Sequence, residues 1–233
     1  MIVSIHQPHY FPYPGFFHKI LQSDAFIFLD SVQYVKNEWI NRNVLKGPNG
    51  KVFITIPVHY KFPQKINDVL IDNRTEWIKK HINTIKTCYG RAKYFSKYFD
   101  ILKESLNINE TNLSLFLIKH LLILFERLNI KIPYFTASDI GVYTFNPTLR
   151  IIELCKNVGG DMYLSGPAGK DYLEEDLFKK HNIELIYQEY SPVKYNQNFE
   201  KLGFIENLSV IDLLMNTDDT IINSYKDRSS RIR

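Results

Sequence analysis

The feature that most constrains this chain is a pair of short apolar runs near its start, each followed directly by polar residues. Residues 1–5 lead into His6, and residues 25–29 lead into Asp30. Apolar runs of this length are typical of strands buried on both faces of a parallel sheet. Because ligands bind beyond the carboxyl ends of such strands, we expect His6 and Asp30 to lie at a ligand site.

The segment between the two runs predicts a strand, loop, helix and strand. Prolines at positions 8, 12 and 14 are poorly tolerated inside helices, so the helix is expected to begin near Gly15. The free N–H groups of that helix start would favour an anion beside His6 and His9. His6 alone is equally well explained as a structural histidine, but His9 and Gln7 in the same loop favour a functional role.

The segment after the second run is rich in side chains that can hold a ligand. Tyr34 and Trp39 offer flat stacking faces, and Trp39 is expected to be buried. Arg42 supplies a forked donor suited to carboxylate or phosphate. The turn signal at residues 48–50 and the β-prone run at 51–58 predict a hairpin. A plain solvated hairpin is the alternative.

The remainder predicts helices first and then more α/β structure. Residues 76–130 are expected to form a helical block, in which His81 shares a face with apolar residues and is slightly better explained by packing. Helix caps are predicted at Asn73 or Thr75, at Asn112 and at Ser209. A strand over residues 134–138 is expected to carry Ser138 and Asp139 at its end.

A second strand, over residues 161–165, leads into a glycine loop. Gly166 and Gly169 allow a ligand to approach the backbone closely, and Lys170 adds a positive charge. The spacing is not that of a phosphate-binding Walker A loop. The loop by itself is therefore a weak signal, because most two-glycine loops are turns.

Composition bounds the class of protein. The chain has 233 residues, 45% of them hydrophobic and 23% charged, as expected of one globular domain over 1–233. Its net charge of +4 suits a small anionic ligand and is too weak to indicate nucleic acid. Cys88 and Cys155 predict two reduced, buried thiols of a cytoplasmic protein. The longest apolar stretch, residues 113–125, is too short and polar for membrane insertion.

Several sequence blocks, in order from the first residues to about residue 216, resemble the WbqC-like family. They are IHQPHYFPYPGFFHKI, SDAFIFLDSVQYVKNEWINRNVLKGPNG, EWIKKHINTI, YLSGPAGKDYL, YNQ and LSVIDLLMN. A Phe-Pro-Tyr segment stands where Leu-Pro-Trp is usual. The positions that match the family motifs are His6, Gln7, Pro8, Tyr10, Gly15, Lys19, Asp30, Gln33, Tyr34, Lys36, Trp39, Asn41, Arg42, Asn43, Lys46, Gly50, His81, Ser165, Gly166, Gly169, Tyr172, Tyr195, Gln197 and Asp212.

The resemblance implies a role in bacterial O-antigen or surface-polysaccharide biosynthesis, with glycine transfer to a sugar as the suggested activity. A second resemblance is to the HIGH-type nucleotidyltransferases and the ligases similar to pantothenate synthetase. It implies an early phosphate-binding element at His6, His9 and Gly15 and a late one at residues 165–172. The chain lacks His-x-Gly-His and the second Ser/Thr and Arg of the late loop. The cofactor is therefore unknown, with ATP as one possibility.

Two functional hypotheses follow. The first is an enzyme that joins an amino acid or acyl group to a nucleotide-linked amino sugar, with His6 as general base oriented by Asp30. No Gly-x-Ser-x-Gly motif is present, so we expect direct attack on an activated donor, whether made with ATP, as an acyl thioester or on an aminoacyl carrier. The second is a sugar-nucleotide-binding or scaffold protein without catalysis.

Both hypotheses place His6, Asp30, Trp39 and Arg42 around one cleft. The predicted catalytic residues are His6, Asp30 and Lys36. The predicted substrate-binding residues are Gln7, His9, Tyr10, Gln33, Tyr34, Trp39, Asn41, Arg42, Asn43, Lys46, His81, Ser165, Gly166, Gly169, Tyr172, Tyr195 and Gln197. A metal site at His6, His9, Asp30 and His81 stays an alternative, but no metal-binding spacing supports it, so no metal ligand is predicted. The sequence does not indicate the oligomeric state.

Overall fold

A computed structural model describes residues 1–227. The chain opens with the predicted strand, helix and strand: β1 (Ile2–His6), α1 (Pro14–Leu21) and β2 (Ala25–Phe28). Pro14 occupies the first turn of α1, where a missing N–H costs nothing. A hairpin follows, β3 (Arg42–Gly47) with β4 (Gly50–Thr55), as the turn signal predicts. A second small antiparallel pair is β5 (Val58–His59) with β6 (Leu70–Ile71).

Three long helices and a second α/β segment complete the described chain. The helices are α2 (Trp77–Tyr89), α3 (Phe95–Leu106) and α4 (Leu113–Arg127). The elements that follow are β7 (Tyr134–Thr136), α5 (Ala137–Ile140), α6 (Pro147–Asn157), β8 (Met162–Ser165), α7 (Glu175–Lys180), β9 (Glu184–Tyr187), α8 (Val210–Asn216) and α9 (Thr220–Ser224).

The main sheet is parallel, has five strands and runs in the order β7-β2-β1-β8-β9. This confirms the α/β class and the predicted parallel sheet. The strand β1 pairs with β2 from Val3–Ala25 to His6–Phe28, and on its other side with β8. The chain thus builds outward from β1 in one direction and then returns across it to build the other half. The order of the strands reverses between the paired strands β1 and β8. We call the carboxyl ends of these two strands the strand switch, which is where ligands bind in sheets of this kind.

Apolar side chains cover both faces of the sheet. Val3 and Ile5 of β1 pack with residues of α6 on one face. On the other face Phe26 and Phe28 of β2 pack with α1 and with the helices α2 to α4. A parallel sheet buried on both faces is what the unbroken apolar runs predict. Its carboxyl edge is therefore the part of the sheet left for polar side chains.

Two local predictions are wrong and two are confirmed. The strand predicted over residues 134–138 ends at Thr136, and Ser138 belongs to α5. Neither Asn73 nor Thr75 caps α2, because the Asn73 side chain accepts from the indole of Trp77 instead. The caps at the starts of α4 and α8 are confirmed, since the side chains of Asn112 and Ser209 accept backbone N–H bonds there.

Candidate functional site

Basic side chains gather where β1 ends. The ring of His6 lies edge-on to the ring of His9, with 4.5 Å between centroids, and Phe16 of α1 supports both rings. Lys19, one turn further along α1, points its Nζ to the carbonyl oxygen of Ile5 at 2.8 Å. We call His6, His9, Lys19 and the neighbouring Ser165 the strand-end site.

The hydrogen bond made by His6 fixes its tautomer. Its Nδ1 lies 2.9 Å from the carbonyl oxygen of Gln7, which can only accept, so Nδ1 carries the hydrogen. The lone pair is therefore on Nε2. Burial, reinforced by the positive charge of Lys19, lowers the pKa of His6 to about 4, so the imidazole is neutral at physiological pH. Burial, together with the nearby His6 and Lys19, holds the pKa of His9 well below its usual value.

Lys19 is the basic residue to which the sequence assigned no site role, although it matches a family motif. Its side chain is 4% exposed and its Nζ lies 5.9 Å from the centroid of the Tyr163 ring on β8. Within residues 1–227 it forms no salt bridge. Burial lowers its pKa to about 7. The available signal was a lysine on the otherwise apolar face of α1 that carries Phe16 and Ile20.

The glycine loop lies on the other side of the strand switch. Ser165 ends β8 and donates through Oγ to the carbonyl of Gly166. A Cβ placed on Gly169 would lie 2.0 Å from Ser165 Oγ, so the loop packs against this serine only because position 169 is glycine. Tyr172, at the end of the loop, is 58% exposed. Gly169 therefore shapes the rim of the strand-end site beside Ser165.

Polar side chains on other elements hold the histidine loop in place. The Asn43 side chain donates to the carbonyls of Tyr10 and Phe11, and Ser209 Oγ donates to the same Phe11 carbonyl. Phe11 has a positive φ of 42°, which a non-glycine residue adopts at a cost that surrounding contacts must offset. The side chain of Asn43 thus fixes the loop that carries His9. Both of these bonds use the Asn43 amide nitrogen.

Asp30 does not orient His6, contrary to the prediction. Its two carboxylate oxygens accept from the backbone N–H and the hydroxyl of Ser138, at 2.9 and 2.6 Å. This pairing ties the end of β2 to the start of α5, which explains why the predicted strand stops before Ser138. The group that fixes the His6 ring is instead the adjacent Gln7 carbonyl.

Two further predicted binding residues, His81 and Tyr10, form a buried pair. The Thr55 N–H donates to Nε2 of His81, so Nδ1 carries the hydrogen and donates to the Tyr10 hydroxyl at 2.9 Å. Burial lowers the pKa of His81 to about 4. These contacts agree with the packing interpretation of His81.

A second buried network lies between β3 and α8. Asp212 accepts from the hydroxyls of Tyr89 and Tyr195, and burial raises its pKa despite these bonds. Lys46 donates to the carbonyl of Gly203 at 2.6 Å and is 1% exposed. Gln197 makes two hydrogen bonds with the backbone of residue 205. Asp212, Lys46 and Gln197 each bond to another part of the protein. These bonds stabilise the fold around the hairpin.

A separate cavity of about 300 Å³, which we call the Arg42 cavity, contains several of the predicted binding residues. Its lining is Tyr34, Lys36, Asn37, Asn41, Arg42, Thr55, Ile56, Pro57, Val58 and Tyr60. Neither His6 nor Asp30 lines it. Trp39 is 43% exposed, not buried as predicted, because its ring covers the guanidinium of Arg42. Gln33 is exposed and forms an isolated bridge with Lys65.

None of the helices within residues 1–227 combines the length and apolar character needed to cross a bilayer. The same residues contain no group of three or more His, Cys, Asp or Glu side chains arranged for a metal ion. Cys88 and Cys155 are both free and buried.

The fold and the strand-end site define an α/β protein with a five-stranded parallel sheet and basic side chains at its strand switch. The chain belongs to the WbqC-like protein family, whose model matches residues 7–223. It is 34% identical over 218 residues to Uncharacterized protein Rv1507c of Mycobacterium tuberculosis, a match that covers 92% of this chain and 93% of that protein. No solved structure has a significant match to the chain.

Proposed function

We propose that the chain is an amide-forming acyl or aminoacyl transferase, or an ATP-dependent ligase, that acts on an amino sugar in surface-polysaccharide biosynthesis. The acceptor we propose is a nucleotide-linked amino sugar, with glycine as the amino acid that family membership suggests. The observation that carries the proposal is the state of His6. It is a neutral imidazole at the strand switch, and its Nε2 holds the free lone pair.

His6 Nε2 supplies the base that the reaction needs. As the acceptor amine attacks the carbonyl carbon of an activated donor, a C–N bond forms and the bond to the leaving group breaks with its electron pair. The amine proton passes to His6 Nε2. Proton transfer by a positioned base of this kind contributes about 10²- to 10⁴-fold to a rate.

The basic side chains of the strand-end site support an anionic substrate. His6, His9 and Lys19 are three basic groups that form no salt bridge among the described residues. A phosphate or carboxylate placed beside them stabilises their protonated forms and raises each pKa. The pKa of His6 then moves from about 4 toward neutrality, where a general base is most effective.

The experiment compares His6→Ala with His181→Ala, a matched change at a histidine that ends α7 and contacts Lys156. Each purified protein is incubated with nucleotide-linked amino sugars, glycine and ATP. Mass spectrometry then measures the increase in the mass of the sugar. We expect the wild type and His181→Ala to add the amino acid and His6→Ala to lose at least about 100-fold in rate. Binding of the nucleotide sugar, measured by calorimetry, should survive in His6→Ala.

Two results separate the alternatives. Product formed equally well by His6→Ala refutes the assignment of the base. Nucleotide-sugar binding without product in any wild-type reaction favours the binding or scaffold protein.

Asp30→Asn is a third variant. It weakens the contacts of Asp30 with Ser138 and leaves His6 in place. A loss of stability accompanies that change if Asp30 is only a structural link between β2 and α5.

A further inference from the structure

The Arg42 cavity has a positive wall. Lys36 and Arg42 both line it, and none of its lining residues is acidic. Its volume of about 300 Å³ is that of a site for a small molecule. Two positive charges around a concave surface raise the local concentration of anions. The composition of this wall therefore selects for a small ligand that carries negative charge.

Two aromatic rings contact the guanidinium of Arg42. Its Cζ lies 5.7 Å from the centroid of the Trp39 ring and 5.2 Å from that of Phe53. Both rings are about half exposed, so they cover the guanidinium instead of joining the core. Aromatic contacts of this kind occupy the faces of a guanidinium and leave its in-plane N–H groups for hydrogen bonds. Arg42 also donates to the carbonyl of Asn37, which fixes one end of the group.

Two polar side chains of the wall, Tyr34 and Asn41, are already paired, whereas Arg42 is not fully paired. The Tyr34 hydroxyl donates to the Asn41 side chain, and Asn41 in turn donates to the Ile56 carbonyl. The Nε atom of Arg42 is buried and has no hydrogen-bond partner among the described residues. A buried charged donor without an acceptor is costly. A ligand oxygen in the cavity would pair with the guanidinium, and a turn of the guanidinium that brings Nε to that oxygen would remove the cost.

We infer that the Arg42 cavity is a second ligand site, separate from the strand-end site, that binds a small organic anion. Carboxylate or phosphate oxygens of the ligand meet Arg42 and Lys36, and its flat body lies against the half-buried ring of Tyr60, which itself packs on Tyr34 at 4.8 Å. The inference stands independently of the proposed transfer reaction, because it concerns binding without turnover.

The test uses two pairs of probes, in each of which an anion is compared with an uncharged relative. Benzoate is compared with benzamide for the carboxylate arm, and uridine diphosphate with uridine for the phosphate arm. Affinity is measured by titration calorimetry of the full chain. Location is read from tryptophan fluorescence, because Trp39 contacts Arg42 whereas the second tryptophan, Trp77, is buried in α2. We expect one anion to bind saturably and its uncharged partner to bind at least about tenfold more weakly.

Variants assign the binding to the cavity. Arg42→Gln should lower the affinity for the anion by at least about tenfold. Lys36→Gln, a change at an exposed residue, should lower the affinity less and leave folding unaffected. Arg127→Gln is the matched control, since Arg127 pairs with Glu104 on the surface of the helical block. The inference is overturned if neither anion binds, if uncharged probes bind equally well, or if both cavity variants retain wild-type affinity.

Discussion

Replacing Lys19 with methionine should make the protein more stable and less able to bind the proposed anionic substrate. Methionine has a similar length and no charge, so it keeps the apolar packing of the lysine stem. Lys19 is 4% exposed, forms no salt bridge within residues 1–227, and has its pKa lowered from 10.5 to about 7 by burial. Its positive charge is therefore a destabilising feature of the folded state.

The size of the effect follows from the pKa. Each pKa unit corresponds to about 1.4 kcal/mol, so the difference between 10.5 and about 7 represents about 5 kcal/mol lost to folding at neutral pH. Methionine also removes the hydrogen bond from Nζ to the Ile5 carbonyl, worth about 1 kcal/mol. Lys19→Met should therefore raise the free energy of unfolding at neutral pH by up to about 4 kcal/mol.

The direction in which stability changes with pH follows from which state of the protein holds the proton of Lys19. Between the folded pKa of about 7 and the unfolded value of 10.5, the unfolded chain holds a proton on Lys19 that the folded chain has released. Stability of the wild type therefore rises with pH across that window relative to the variant. Below the window both states are protonated and the difference is constant. Urea unfolding at several pH values should show the advantage of Lys19→Met shrinking as pH rises and becoming a disadvantage of about 1 kcal/mol, from the lost Nζ hydrogen bond, above the upper end.

The reasoning is refuted by a variant that is less stable than the wild type at neutral pH, or by an advantage that does not change with pH. The first result would mean that a partner stabilises the charge of Lys19. The second would mean that Lys19 does not titrate in the window. A gain in stability accompanied by weaker nucleotide-sugar binding is the pattern expected of a residue kept for function.

Two substitutions test the packing around the sites. Tyr10→Phe removes the hydroxyl that pairs with the buried His81 ring, and urea unfolding should show a loss of about 1–3 kcal/mol; unchanged stability would contradict that pairing. Gly169→Ala places a Cβ 2.0 Å from Ser165 Oγ and should cost about 1–3 kcal/mol, whereas Gly166→Ala, which meets nothing within 4 Å, should be nearly neutral. Equal effects of the two alanines would show that the loop does not pack on Ser165.

The sheet was predictable because its signal is local. Apolar runs of strand length, separated by a proline-rich loop and a helix, require a parallel pairing, and β1 and β2 have it. His6 falls at the end of β1 for the same reason. The caps at Asn112 and Ser209 were predictable because a cap depends on neighbours three residues away or fewer.

The roles of the polar side chains were not predictable, because an amide or imidazole serves a ligand or a buried backbone group equally well. Asn43 satisfies two carbonyls of the histidine loop, and His81 satisfies a backbone N–H and a tyrosine. Those partners are 26 or more residues away in sequence. Asp30 illustrates the same limit, since its partner Ser138 belongs to an element 108 residues further along the chain.

The strand-end site and the Arg42 cavity are nevertheless connected through backbone. The N–H of Tyr10, one residue after His9, donates to the carbonyl of Ile40 at 2.9 Å, and Ile40 lies two residues before Arg42. Asn43, one residue after Arg42, donates back to the Tyr10 carbonyl. The loop that carries His9 is thus hydrogen-bonded to the residues on both sides of Arg42. The histidine loop and the segment around Arg42 therefore share hydrogen bonds, although the strand-end site and the Arg42 cavity have no residue in common.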